Sequence, residues 1–171
     1  MDVVWKGCAT VVNCQLKRSV TLHDALHGFR AGRGVGTATL QENLTQRLAG
    51  ISHDPLLQLF LDVWKSYNSL DRGWCMDILR GYEMGQNTAR IIAHHWYSLL
   101  FVPKASRFLG MVLGPVGGVT QGYPAPPMIF NIVLDVVVRA VLELVCGTQE
   151  ARHRMGWEAG EQNLVFCVDD R

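Results

Sequence analysis

Three aspartates stand where apolar runs of strand length end. The segment LVFCVDD (Leu164 to Asp170) closes on the adjacent carboxylates Asp169 and Asp170, and the apolar start of QLFLDVWKSYNSL leads into Asp62. Hard cations such as Mg²⁺ prefer carboxylate oxygens. Two such ions about 3.5–4 Å apart can activate an attacking oxygen and stabilise a leaving one in phosphoryl transfer. The pattern suggests that Asp62, Asp169 and Asp170 converge on divalent metal, with Val63 adding a backbone carbonyl.

A simpler interpretation of the same residues stays open. Asp often follows a strand because its side chain caps the next turn. Successive strand residues point to opposite faces, so one of Asp169 and Asp170 faces a site directly and the other reaches it only where the chain turns. Likewise, Tyr67 can be an ordinary core aromatic, and GVTQGYPAPP (118–127) can be an ordinary loop.

Periodicity and capping residues predict the elements that must position these groups. Asp71 is expected to cap one helix and Thr37 another. The predicted helices are Val3–Arg18, Thr37–Leu48, Arg72–Tyr82, Thr88–Leu100 and Met128–Cys146, and the predicted strands are Leu56–Val63, Arg107–Leu113 and Leu164–Asp170. The Gly and Pro residues of 118–127 argue against regular structure there. Strands separated by helices indicate an α/β or α+β layer fold, with a segment 1–55 preceding a segment 56–171.

Composition places the chain among ordinary globular proteins. Its 171 residues are 49% hydrophobic and 18% charged, with a net charge of +1, so the balance of charges by itself does not favour a nucleic-acid-binding class.

The five cysteines are odd in number and none has CxxC spacing, so neither a disulfide framework nor a zinc site is indicated. Adjacent His94 and His95 cannot share one helical face, which makes a metal pair there an unfavoured interpretation.

The longest apolar stretch argues against a membrane span. Within Met128–Cys146 the charged residues Asp135, Arg139 and Glu143 recur at every fourth position, where they can pair. Each would cost about 2.5–3.5 kcal/mol at the centre of a bilayer. An amphipathic helix on a soluble core explains them better. With no signal peptide at the start of the chain, an intracellular location, in cytoplasm or nucleus, is expected.

A glycine- and arginine-rich segment, HGFRAGRGVGTA (27–38), predicts a flexible cationic loop. It lacks the GxGxxG spacing of a dinucleotide site. Taken in order, this loop, QLFLDVWKSYNSLDRG, GVTQGYPAPPMIFNIVLD and LVFCVDD resemble successive motifs of reverse transcriptases, most closely those of non-LTR retrotransposons and group II introns. The resemblance covers nearly the whole chain.

The resemblance implies a right-hand polymerase fold of which this chain is a partial fingers–palm, with a small palm sheet packed by helices. It implies RNA-directed DNA synthesis from dNTPs on an RNA template with a DNA primer, using Mg²⁺ or Mn²⁺. Asp62, Asp169 and Asp170 match the metal-binding acids of that family. Tyr67 matches the aromatic that excludes a ribose 2′-hydroxyl, and Gln121 with Gly122 matches the pair that lines the nucleotide.

The resemblance also assigns a phosphate contact to Arg30, with Arg33 beside it in the same cationic loop. Several motif positions depart from the family pattern. Asn68 stands where Asp is usual, Tyr123 and Pro126 stand at usually polar positions, and Cys167-Val168 replaces Tyr-Ala. The thumb and an Arg-Pro segment of the fingers are not found in these 171 residues.

We therefore expect the chain to be inactive by itself. Two further interpretations stay open at this point. One is a non-catalytic RNA-binding remnant that uses the Arg30–Arg33 loop, and the other is a decayed retroelement reading frame with no role. The oligomeric state is not predicted by the sequence.

Overall fold

The computed structural model describes residues 3–53, 56, 58, 63, 65–82, 84–105, 107–114, 117–119 and 122–146. These residues fall into two compact units. The first unit lies within Met1–Thr21 and Trp64–Phe130, and the second within Leu22–Val63 and Asn131–Arg171.

The described residues form six helices and one two-stranded antiparallel sheet, an α+β fold. The helices are α1 (Val3–Ser19), α2 (Val35–Ser52), α3 (Ser66–Ser69), α4 (Arg72–Gly81), α5 (Gln86–Ser98) and α6 (Ala125–Cys146), and the strands are β1 (Lys104–Ala105) and β2 (Phe108–Leu109). The predicted helices are therefore all confirmed, with boundaries shifted by a few residues. The predicted strand Leu164–Asp170 lies outside the described residues. Of Leu56–Val63, the structure describes Leu56, Gln58 and Val63, which are in neither helix nor strand.

The first unit is built on α1, α4 and α5. Leu16 of α1, Cys75 and Leu79 of α4, and Trp96 of α5 are among its buried side chains. The predicted cap of α4 is confirmed, because an Asp71 carboxylate oxygen accepts the Trp74 N–H at 2.7 Å. Such a bond satisfies one of the donors left over at a helix start.

Two helix starts differ from the prediction. Thr37 is not the cap of α2: that position belongs to Gly34, and Thr37 lies inside the first turn. Its hydroxyl accepts the Gly34 N–H and donates to the Gly34 carbonyl, each at 2.8 Å. The segment 118–127 is not wholly irregular either, since α6 begins at Ala125 and contains Pro126 and Pro127. A proline fits the first turn because the N–H it lacks has no partner within the helix.

In the second unit, the predicted pairing of Asp135 with Arg139 in α6 is confirmed, but Asp135 does not belong to a solvent-facing polar side of the helix. Asp135 is fully buried and accepts hydrogen bonds from the His23 backbone N–H at 2.5 Å and from Arg139 Nε at 2.6 Å. Asn131, also fully buried, donates to the Gly28 carbonyl at 2.6 Å. In the part of the chain that the structure describes, no helix is long and apolar enough to cross a membrane.

The sheet is a hairpin of the first unit. Lys104 pairs with Leu109, Ala105 with Phe108, and further along Phe101 pairs with Leu113. The predicted strand Arg107–Leu113 is thus found only in part, as β2 and this bridge.

Candidate functional site

Two segments that are distant in sequence meet in the first unit. Val119 donates its N–H to the Tyr67 carbonyl, and Gly118 donates its N–H to the Leu70 carbonyl, both at 2.9 Å. The turn that contains α3 and the loop that leads to Gly122 are therefore paired through their backbones. These are the two segments in which the sequence places Tyr67 and the Gln121-Gly122 pair.

Close approach at this junction requires glycine at position 118. Gly118 has φ +74°, a left-handed conformation that favours glycine. A β-carbon there would lie 2.8 Å from both the Asn68 α-carbon and the Tyr67 carbonyl oxygen. Any side chain would push the two segments apart, so Gly118 sets their spacing.

A buried arginine holds the same loop from its other side. Arg72, 7% exposed, donates from Nε to the Gly118 carbonyl at 2.8 Å and from a terminal nitrogen to the Trp96 carbonyl at 2.7 Å. Its guanidinium thus ties the loop to the C-terminal end of α5. Burial lowers the pKa of Arg72 from its ordinary value, with Tyr97 acting in the opposite direction.

Sequence reasoning missed Arg72, although a local signal was present. Arg72 is the first residue of α4, where the positive end of the helix dipole disfavours a cation. A residue that breaks a local rule often has a tertiary partner. The partners themselves, Gly118 and Trp96, could not be read from the sequence.

Tyr67 lies at the junction as a core side chain. It is 3% exposed, and its ring centroid is 5.3 Å from that of Phe130. The spacing of the sequence left open whether Tyr67 is an ordinary core aromatic, and its packing here agrees with that interpretation. Gly122, the described member of the Gln121-Gly122 pair, has φ +89°, whereas Gln121 lies outside the described residues.

Tyr123 and Pro126, which differ from the reverse-transcriptase motif that this segment resembles, lie beside an aromatic cluster. The Tyr123 ring meets the His95 ring edge-on at 5.0 Å, and His95 lies 4.7 Å from the Trp5 ring. Pro126 joins these three in lining a small apolar cavity of about 30 Å³. Burial first, then Arg72 and His94, lowers the pKa of His95, which favours its neutral form.

The arginines expected at a phosphate have partners in residues 23–26, just before the cationic loop. Arg30 donates to the His23 carbonyl at 2.8 Å and to the Leu26 carbonyl at 3.0 Å. Arg33 donates to the Asp24 carbonyl and, at 2.6 Å, to the Asp24 carboxylate. Burial and neighbouring Arg33 lower the pKa of Arg30, while Asp24 and Asp135 raise it. In this arrangement both guanidiniums stabilise the conformation of the loop through hydrogen bonds to the chain itself.

The proposed metal ligands Asp62, Asp169 and Asp170 lie outside the described residues, so the structure does not bring them together or keep them apart. Val63 is described and is 46% exposed. Among the described residues, no group of three or more His, Cys, Asp or Glu side chains is arranged to hold a metal ion.

Comparison of the chain with protein-family models, with curated proteins and with solved structures found no match.

Proposed function

We propose that this chain is a fingers–palm portion of an RNA-directed DNA polymerase of the non-LTR retrotransposon and group II intron type. The observation that carries the proposal is the backbone pairing of Val119 with Tyr67 and of Gly118 with Leu70. The resemblance assigns the segments of Tyr67 and Gly122 to one nucleotide pocket, and such a pocket needs them side by side. The junction of the two segments supports the proposal.

In the proposed reaction the 3′-hydroxyl of a DNA primer attacks the α-phosphorus of a dNTP on an RNA template, loses its proton, and displaces pyrophosphate. Asp62, Asp169 and Asp170, with the Val63 carbonyl, would hold Mg²⁺ or Mn²⁺, which supplies charge neutralisation for nucleotidyl transfer. The chain's own contribution at the described junction is positioning. Gly118 and Arg72 fix the backbone at residues 117–119, shortly before Gly122, so this part of the chain does not have to be ordered when a nucleotide binds.

We further propose that the chain does not extend a primer by itself. At positions 123 and 126 the family pattern has polar residues beside the nucleotide. Here Tyr123 packs on His95, and Pro126 lines the apolar cavity. In this proposal the two side chains contribute packing within the first unit instead of hydrogen bonds to a nucleotide.

Nucleotide binding tests the family assignment independently of turnover. We expect a fluorescent dNTP to bind in the presence of Mg²⁺ and to lose most of its affinity in Asp62→Asn, because the metal loses an anionic ligand. Asp77→Asn is the matched control, since Asp77 is an exposed α4 carboxylate paired with Arg80. If dNTP binding is absent, or is equally weak in both variants, the family assignment fails.

Primer extension on an RNA template tests the second part. We expect no incorporation by the purified chain. Incorporation that disappears in Asp62→Ala would overturn the claim of inactivity while supporting the polymerase assignment. The family assignment and the claim of inactivity can therefore fail separately.

The RNA-binding alternative receives no support from the described contacts. It depends on Arg30 and Arg33 reaching a phosphate, yet both guanidiniums are engaged by Asp24 or by the carbonyls of His23 and Leu26. A phosphate would have to compete with these partners. We therefore keep the polymerase portion as the favoured function.

A further inference from the structure

The β1–β2 hairpin of the first unit exposes apolar side chains on both of its faces. Partners directly across an antiparallel pair lie on the same face, so the 101–113 and 105–108 pairs place Phe101, Phe108 and Leu113 on one side. The 104–109 pair lies on the other side, where alternation along the arms also places residues 100, 102 and 111. The large apolar side chains of the two faces are between 43% and 80% exposed: Leu100, Phe101, Val102, Phe108, Leu109, Met111 and Leu113. Both faces and both arms are therefore open to solvent.

Exposure on two faces restricts what can cover the hairpin. A two-stranded hairpin is marginally stable in water until an apolar face is covered, and a contiguous exposed apolar patch marks an interaction site. A protein surface that packs on the hairpin covers one face and leaves the other in water. The boundary between lipid headgroups and acyl chains instead surrounds a segment that enters it, to a depth of about 5–10 Å. Lipid is therefore the partner that covers both faces at once.

The charge around the hairpin is complementary to an anionic surface. From residue 84 to residue 134 the chain has no Asp or Glu, whereas Arg90, Lys104 and Arg107 lie in that stretch. Lys104 and Arg107 are both exposed at the turn end of the hairpin. The first unit as a whole carries nine Lys and Arg residues against four Asp and Glu residues. Each cation that reaches an anionic bilayer strengthens binding to it.

A nucleic acid has the negative charge of such a surface but not its apolar component. Phosphates would pair with Lys104 and Arg107, and a base would stack on Phe108. The aliphatic side chains at positions 100, 102, 109, 111 and 113 would stay in water, because a nucleic acid offers them no comparable cover. An anionic bilayer supplies headgroup charge and acyl chains together.

We propose that the first unit binds the surface of an anionic lipid bilayer through the 100–113 hairpin. The hairpin lies along the headgroup boundary, since Lys104 and Arg107 at its turn end stay with the headgroups while the apolar side chains of both arms reach the acyl chains. It does not enter the hydrocarbon core, where the unpaired backbone groups of a hairpin edge would have no partner. The contact is peripheral and does not depend on nucleotide binding.

Flotation of the full chain with lipid vesicles tests the proposal. We expect the wild type to float with phosphatidylcholine vesicles that contain one-third phosphatidylserine, and to bind pure phosphatidylcholine vesicles at least about tenfold more weakly. The double variant Phe108→Ser/Met111→Ser removes two side chains that are each 80% exposed. It should lose about tenfold or more in binding, because less apolar area enters the lipid. Lys104→Gln/Arg107→Gln should lose a similar factor on the anionic vesicles and little on the neutral ones.

The α2 helix supplies the matched control. Leu40→Ser/Leu44→Ser removes two apolar side chains that are 60% and 52% exposed. They lie on a helix of the second unit that carries Glu42 as well as Arg47, so its charge is balanced. This variant should bind vesicles as the wild type does. Far-UV circular dichroism of each variant should match the wild type, because all the substituted positions are exposed.

Three results would overturn the proposal. The first is a wild type that does not float with the anionic vesicles. The second is a Phe108→Ser/Met111→Ser variant that binds these vesicles no more weakly than the α2 control. The third is binding of a short single-stranded RNA that is lost in Lys104→Gln/Arg107→Gln while vesicles do not bind, which would make the hairpin a nucleic-acid surface.

Discussion

The Val119 N–H donates to the Tyr67 carbonyl oxygen at 2.9 Å, which joins a turn and a loop separated by the whole of α4, α5 and the hairpin. The adjacent Gly118 has φ +74° and no space for a β-carbon. This junction is the best-defined feature of the candidate site. Its consequences can be measured without any assumption about catalysis.

Gly118→Ala should destabilise the chain by about 2–4 kcal/mol, because it adds left-handed strain and a clash with two backbone segments. Urea unfolding measures the change. Gly117→Ala is the matched control, since its β-carbon would have only the Leu70 carbonyl oxygen nearby, at 3.9 Å, and it should stay within about 1 kcal/mol of the wild type. Equal effects of the two variants would contradict the close approach at Gly118.

Arg72→Met should cost about 2–4 kcal/mol, because the Gly118 and Trp96 carbonyls would lose a buried donor. The same unfolding assay applies. Arg80→Met, an exposed arginine of the same helix paired with Asp77, should change stability by no more than about 0.5 kcal/mol. A neutral result for Arg72→Met would show that the guanidinium does not hold the loop.

Acid should weaken the packing around His95. Burial, Arg72 and His94 lower the pKa of His95 below its ordinary value of 6.5. As the pH falls, His95 therefore takes up a proton in the unfolded chain before it does so in the folded chain. The stability that neutral His95 contributes is complete above pH 6.5 and is lost as the pH falls below it. The free energy of unfolding, measured at neutral and at acidic pH, should fall less in His95→Gln than in the wild type. An equal fall in His95→Gln and in the wild type would contradict this contribution of His95.

The reactivity of the cysteines should depend on their burial. Burial, with a contribution from Asp71, raises the pKa of the Cys75 thiol to about 11, whereas Cys8 and Cys14 are exposed. Because the thiolate is the reacting species, iodoacetamide at mildly alkaline pH should modify Cys8 and Cys14 and spare Cys75 until the chain is unfolded. Peptide mass spectrometry reads each site. Labelling of Cys75 in the folded chain at the rate of Cys8 would contradict its burial in the core of the first unit.

The predicted helices were found because their signals are local. The apolar spacing of α1, the Asp71 cap of α4 and the interrupted apolar run of α6 each depend on residues within a few positions of one another. Boundaries were less accurate where the local signal had two interpretations. Thr37 has the side chain of a cap, but Gly34 takes that place, and the prolines that discouraged a helix near 125 fit its first turn.

Residues that bind across the fold could be predicted only in part. The pairing of Asp135 with Arg139 followed from their spacing, whereas the contact of Asp135 with the His23 N–H did not. The resemblance assigned Arg30 to a phosphate, and Arg33 was added from its place in the same loop, whereas in the structure Asp24 and nearby carbonyls engage both arginines. A side chain's type specifies what it can bind, but the group that reaches it is set by the path of the chain.

The sequence by itself determined the periodicity of the helices, the cap at Asp71 and the family resemblance that motivates the polymerase hypothesis. Tertiary structure alone decided that Gly118 and Val119 lie against the turn of Tyr67 and that Arg72 holds the Gly118 carbonyl. The physical reason is that helix periodicity and caps arise from neighbours within about one or two turns. Backbone pairing and burial instead depend on segments that only the folded chain brings into contact.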